Sequence, residues 1–139
     1  MSNDSKIEAL RNVEIFSGCT DKQLEAIANV TEAVTPGEGH VLLTEGHVGH
    51  DMFVVTSGEL TVQVGGNEVA TIGAGGVAGE LGLVDGQRSS ATVTAGAGVE
   101  GWLVPRRGFA PLLEEDPALA RPLLDAVIAK LRATDERLH

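Results

Sequence analysis

Glu80 stands between glycines in the run Val77-Ala78-Gly79-Glu80-Leu81-Gly82-Leu83, and Arg88, Ser89, Ser90 and Ala91 follow about ten residues later. These types at this spacing suit anion binding. A short helix opened by Gly79 can aim its free backbone N–H groups and its dipole at a negative group, and Arg88 adds charge and forked donors. A carboxylate beside that spot repels phosphate but accepts hydrogen bonds from sugar hydroxyls. The combination therefore fits a small phosphorylated ligand carrying a ribose better than inorganic phosphate.

Other reactive side chains carry weaker patterns. His40, His47 and His50 fall in one region of a glycine-rich stretch, and metal-binding rolls of the cupin type use clustered histidines. The His47-Val48-Gly49-His50 spacing lacks the H-x-H pair and following glutamate of that motif, so no metal is expected. Cys19, without a histidine beside it, reads as an inert thiol. No Ser-His-Asp arrangement and no acid–base pair is legible, which argues against an enzyme. Glu25, Glu32, Glu59, Glu100, Glu114 and Glu115 read as solvated surface, and Trp102 reads as core.

Length and composition bound the rest. The 139 residues suit one domain with a core that needs no disulfide or metal. A single cysteine cannot form an internal disulfide, which points to a reducing, cytoplasmic compartment. No apolar run approaches membrane-spanning length, and the first twenty residues do not read as a signal peptide. A soluble, unexported protein is expected. Twenty acidic against ten basic residues give a formal charge of −10, which repels nucleic acids and anionic membranes. Any phosphate must then be held by local donors against the global sign.

The elements that would position these residues follow from periodicity. Thr20 and Gln23 form a capping box ahead of Leu24, Ile27 and Ala28, which predicts a helix near 20–29, with a weaker one over 4–11. From Thr31 the apolar period becomes two. Strands are predicted over 41–43, 52–55, 60–64, 68–72, 91–95 and 99–104, punctuated by several of the eighteen glycines. After Pro105, Phe109, Leu112 and Leu113 suggest a short helix. Asp116-Pro117 then opens a terminal helix whose stripe of Ala120, Leu123, Leu124, Val127, Ile128 and Leu131 is expected to pack on the barrel or to dimerise. No linker or second periodic block is visible, so no output domain is expected.

With these fragments in order, the chain resembles the cyclic nucleotide-binding domain found in catabolite-activator-type regulators, kinase regulatory subunits and gated channels. Phe16-Ser17-Gly18 with Leu24 and Ile27 looks like the family's N-terminal helical part. Glu45-Gly46 and Phe53 to Val62 are similar to its strand-turn-strand, and Gly79 to Val93 resembles its phosphate-binding cassette. The resemblance implies an α+β fold, mainly a β jelly-roll (double-stranded β-helix) flanked by N-terminal helices and a C-terminal helix. As a single domain it divides into N-terminal helices over 1–30, a β-roll over 31–104 with the cassette at 79–91, and C-terminal helices over 105–139.

It also implies roles. Glu80 would accept from the ribose 2′-hydroxyl, and the N–H groups of Leu81 and Gly82 would hold the cyclic phosphate. The family's cassette arginine aligns with Ser89, whereas Arg88 lies one residue earlier, and a one-residue offset in extended chain turns a side chain to the opposite face. Either the loop around Gly86-Gln87 adjusts so that Arg88 reaches inward, or the phosphate meets Ser89, Ser90 and backbone donors. Losing the arginine weakens binding about ten- to a hundredfold. Ser90 occupies the position associated with choosing cAMP or cGMP and leaves both open. The terminal helix has no aromatic, so a lid over the base would use Leu123, Val127, Leu131 or the stem of Arg121. The implied function is a non-enzymatic cyclic nucleotide sensor with no cofactor beyond that ligand. Its partner would be an unidentified protein or a second copy met through the C-terminal helix. The alternative is a degenerate domain that kept the fold for protein interaction alone.

Overall fold

Period-two segments separated by glycine turns pair into two four-stranded antiparallel sheets that face each other as a jelly-roll, with helices before, within and after it. The computed structural model describes residues 2–48 and 51–138, with side chains over 4–48 and 51–133. One sheet runs β1 (Glu32–Val34), β8 (Glu100–Val104), β3 (Met52–Ser57), β6 (Val77–Ala78). The other runs β2 (Val41–Leu43), β7 (Thr92–Ala95), β4 (Leu60–Val64), β5 (Asn67–Ile72). The β4–β5 hairpin turns on Gly65 and Gly66, with φ of 60° and 84°. Two successive positive φ values match the twist of the flanking strands, and glycine adopts them without steric cost.

Alternation along β3 divides the apolar residues between two cores. Phe53 and Val55 face the interior of the roll with Leu43, Leu60, Ala78, Val93, Ala95 and Val99. Met52 and Val54 face outward, yet they are buried as well, because a layer of helices covers that side. The layer consists of α1 (Ser2–Arg11), a 3₁₀ turn at Glu14–Phe16, α2 (Asp21–Val30), α4 (Arg106–Glu115) and the start of α5 (Ala120–Leu138). Phe16 and Phe109 meet inside it with ring centroids 5.9 Å apart.

The capping box forms as the sequence predicts, with Gln23 N–H donating to Thr20 Oγ1 at 3.1 Å and Thr20 N–H to Gln23 Oε1 at 2.9 Å. At the other end of α2, the Lys6 ammonium donates to the carbonyls of Ala28 and Thr31 at 3.1 and 2.8 Å. A cation at a helix C-terminus satisfies carbonyls left without helical partners. Lys6 also lies 5.8 Å from the centre of the Trp102 ring, which is partly buried against the helical core.

The terminal helix starts later than the sequence predicts and packs within the helical layer that covers the outer face of the roll. Asp116 Oδ1 accepts from Ala118 N–H at 3.2 Å, so the cap belongs to a 3₁₀ turn at Pro117–Leu119, and α5 starts after it. Leu119, Leu123 and Ala126 bury against the helical layer beside Glu14–Phe16, not against the roll interior. Leu124, Ile128 and Leu131 remain exposed at 56%, 40% and 65%. One stripe is thus split, because only its first turns find apolar cover.

Cys19 is half-buried beside the helical core, and desolvation pushes its thiol up to about 11. Burial favours the neutral form, and the thiolate is the reactive species. Because this folded value lies above the unfolded one, the resulting stability is full below about pH 9 and is lost as pH rises through about 11. Iodoacetamide at pH 8 should therefore alkylate Cys19 at least about tenfold more slowly in the native protein than in urea. Equal rates would show that the thiol is not desolvated.

Candidate functional site

Gly79 to Gly82 and Gln87 to Ala91 line a cavity of about 400 Å³ between the two sheets and the cassette helix α3 (Glu80–Asp85). Gly79 opens the helix with φ 82°, and a Cβ there would collide with the carbonyl oxygen of Asp51. Both the left-handed backbone and the close approach demand glycine. Asp51 also fixes α4, because its Oδ1 accepts from the Arg106 N–H at 2.9 Å. Asp51 therefore lies against the starts of both helices. Leu83 anchors α3 from below by burying its side chain in the helical core.

Leu83 N–H donates to the Gly79 carbonyl at 3.0 Å, the first rung of the helical ladder. The N–H groups of Glu80, Leu81 and Gly82 precede that rung, as in any first helical turn. Glu80, Leu81, Gly82, Arg88, Ser89, Ser90 and Ala91 all line this cavity, so the structure brings the cassette residues singled out in the sequence to one place. Gln87 and Asp85 join them, with Asp85 Oδ1 accepting from Gln87 N–H at 2.9 Å. Leu43, Val62, Ile72, Val77 and Val93 form an apolar side. Polar donors, a carboxylate and apolar side chains thus share one cavity, the mixed lining usual for small-molecule sites.

The offset between Arg88 and Ser89 has a definite outcome. Ser89 pairs with the loop after β2, its N–H donating to the His47 carbonyl and its carbonyl accepting from Gly46 N–H, both at 2.8 Å. The Ser89 hydroxyl donates to the Ala91 carbonyl at 2.6 Å. Arg88 borders the cavity, but its Nη1 donates to the Gly46 carbonyl at 2.6 Å. The guanidinium is held by a neutral acceptor.

Sequence reasoning missed Lys130. Its Nζ lies 2.6 Å from Glu80 Oε1, so α5 reaches the cassette carboxylate. No spacing rule joins residues fifty positions apart, and the pair emerges only from the fold. Leu123, Val127 and Leu131, the expected lid, are not among the residues lining this cavity. Leu123 and Val127 instead line an apolar cleft of about 580 Å³ with Leu81, Val84, Leu113 and Leu124. His40 lies on the wall of a separate cavity of about 410 Å³, His47 is exposed, and His50 falls outside the described residues.

Similarity to known proteins agrees with this geometry. The chain is 30% identical to the N-terminal domain of a transcriptional regulator from Streptomyces coelicolor A3(2), with a TM-score of 0.78, over 92% of this chain and 95% of that one. It is 26% identical, with a TM-score of 0.70, to the regulatory domain of Toxoplasma gondii PKA, solved with cAMP, over 79% of this chain and 44% of that one. A cGMP-dependent protein kinase from Eimeria tenella is 24% identical over 98% of this chain, and the match spans 13% of the kinase. The profile of the cyclic nucleotide-binding domain matches residues 35–116, more than half of the sequence. Together with the jelly-roll and its cassette, that match makes the chain a member of the cyclic nucleotide-binding domain family.

Proposed function

We propose that the chain is a non-enzymatic regulatory module that binds cAMP or cGMP in the cassette cavity and passes the signal through its flanking helices. The observation that carries this reading is the convergence of Gly79 to Gly82 and Arg88 to Ala91 on one cavity that apolar side chains of both sheets also line. Glu80 takes the ribose hydroxyl, the first-turn N–H groups of α3 take the phosphate, and Ser90, which lines the same cavity, leaves the base open. The exposed Leu124, Ile128 and Leu131 supply a surface for a protein partner or a second copy. A formal charge of −10 disfavours nucleic acid as that partner. Among the described residues no helix is long and apolar enough to cross a membrane, and we place the module in the cytoplasm.

Calorimetric titration with each nucleotide tests the reading. Heat of binding is expected for at least one of them, and Glu80→Ala should weaken it about tenfold or more by removing a charge-assisted hydrogen bond. No heat and no rise in melting temperature at millimolar nucleotide would overturn the reading.

A second reading has its own support. Arg88 is engaged by Gly46, the Ser89 hydroxyl by Ala91 and Glu80 by Lys130, so several expected ligand contacts are occupied from within. A degenerate domain retained for protein interaction would look the same. The titration separates the two.

A further inference from the structure

A second cavity, of about 410 Å³, lies beside the cassette cavity and shares Leu43 and Ala78 with it. Nothing in the nucleotide reading uses this space. Leu43, Phe53 and Ala78 are buried and give it an apolar floor, whereas Thr35 and His40 are exposed and mark its mouth. Asp51 lines it too, half-buried and two residues ahead of Phe53. Its Oδ1 accepts from the Arg106 N–H at 2.9 Å, but among the described residues no donor reaches Oδ2 and no cationic side chain pairs with the carboxylate. One oxygen is left for a ligand. The His40 backbone is fixed, its N–H donating to the Gly37 carbonyl at 3.0 Å and its carbonyl accepting from the Ala95 N–H at 2.8 Å, while among the described residues its imidazole and the Thr35 hydroxyl have no hydrogen-bond partner.

We propose that this second cavity binds a small organic amine, with its apolar body on Leu43, Phe53 and Ala78 and its ammonium group at Asp51. A half-buried carboxylate without a counter-charge gains more from a cation than from a neutral donor. An ammonium group carries three donors and no acceptor, and Asp51, Thr35 and a neutral His40 imidazole each supply an acceptor. The ligand and the lining are complementary. The formal charge of −10 works in the same direction, since it draws cations toward the protein and repels anions. The inference goes beyond the nucleotide reading and does not depend on it.

The test uses the full chain without nucleotide and follows backbone amide NMR shifts, with phenethylamine as the probe and phenethyl alcohol and hydrocinnamate as its neutral and anionic counterparts. Phenethylamine should bind at least about fivefold more tightly than the alcohol, and hydrocinnamate should not bind. The shifts should centre on residues 34–43 and Leu103, which surround this cavity, and not on residues 80–91 of the cassette. Asp51→Asn, which keeps an acceptor for the Arg106 N–H, should bring the amine down to the level of the alcohol. Thr35→Arg sets a guanidinium at the exposed mouth and should weaken the amine by a similar factor while sparing the alcohol, so the test survives if Asp51→Asn does not fold. Equal affinity for amine and alcohol in the parent, no binding of the amine at millimolar concentration, or shifts centred on the cassette overturns the proposal. None of these results bears on the titration with cyclic nucleotides, so the two readings fail separately.

Discussion

Ser89→Arg should bind cyclic nucleotide about ten- to a hundredfold more tightly than the parent, a gain of roughly 1.5–3 kcal/mol for one charge-assisted hydrogen bond to phosphate. The reasoning begins with backbone pairing. Ser89 is held by backbone hydrogen bonds to His47 and Gly46, and it is among the residues lining the cavity. A longer cationic side chain there starts from a fixed backbone beside the ligand space. Arg88 has the right charge, but the Gly46 carbonyl holds it at the rim. Moving the arginine by one residue changes the face it projects from. Titration of the parent, Ser89→Arg and Arg88→Ala decides the matter. If Ser89→Arg leaves affinity unchanged while Arg88→Ala abolishes binding, the guanidinium of Arg88 leaves Gly46 for the phosphate, and position 89 is not the anion subsite.

Phe109→Ala should cost about 3–5 kcal/mol of unfolding free energy, the usual range for deleting a fully buried phenyl ring. Phe109 is completely buried and packs its ring on Phe16 at a 44° tilt. The cluster it belongs to also contains Leu10, Leu24, Ile27, Leu119 and Leu123, so the cavity left behind opens where several helices converge. Leu83 shares that cluster, and Leu83 is what seats α3. Urea denaturation should show the lower midpoint with an unchanged slope. A loss below about 1 kcal/mol would mean that the helical layer refills the space and that Phe109 does not anchor it.

Local signals in the sequence translated directly into structure. The Thr20–Gln23 box and the Gly65-Gly66 turn involve neighbours only, so the residues that specify them also satisfy them. Strands β1 and β6 carried no such signal. Glu32 and Ala33 are exposed, β6 has only two residues, and both exist because β8 and β3 offer them partners. Periodicity along residues 120–131 gave a face but not its neighbours, which is why Leu123 and Leu124 end in opposite surroundings. Within the cassette, Gly79 and Glu80 were legible because a turn and a helix start are local. The direction of Arg88 was not, since it depends on a carbonyl forty-two positions away.

Strand β3 faces two hydrophobic interiors at once, with Phe53 and Val55 on one side and Met52 and Val54 on the other. Sliding it by a single residue would exchange both sets of side chains and empty both interiors together. Roll and helices accordingly share one register lock, and neither can loosen without the other. A module built on such a partition melts as one cooperative block, and any signal that leaves the roll without unfolding it has to exit by elements fastened outside that partition.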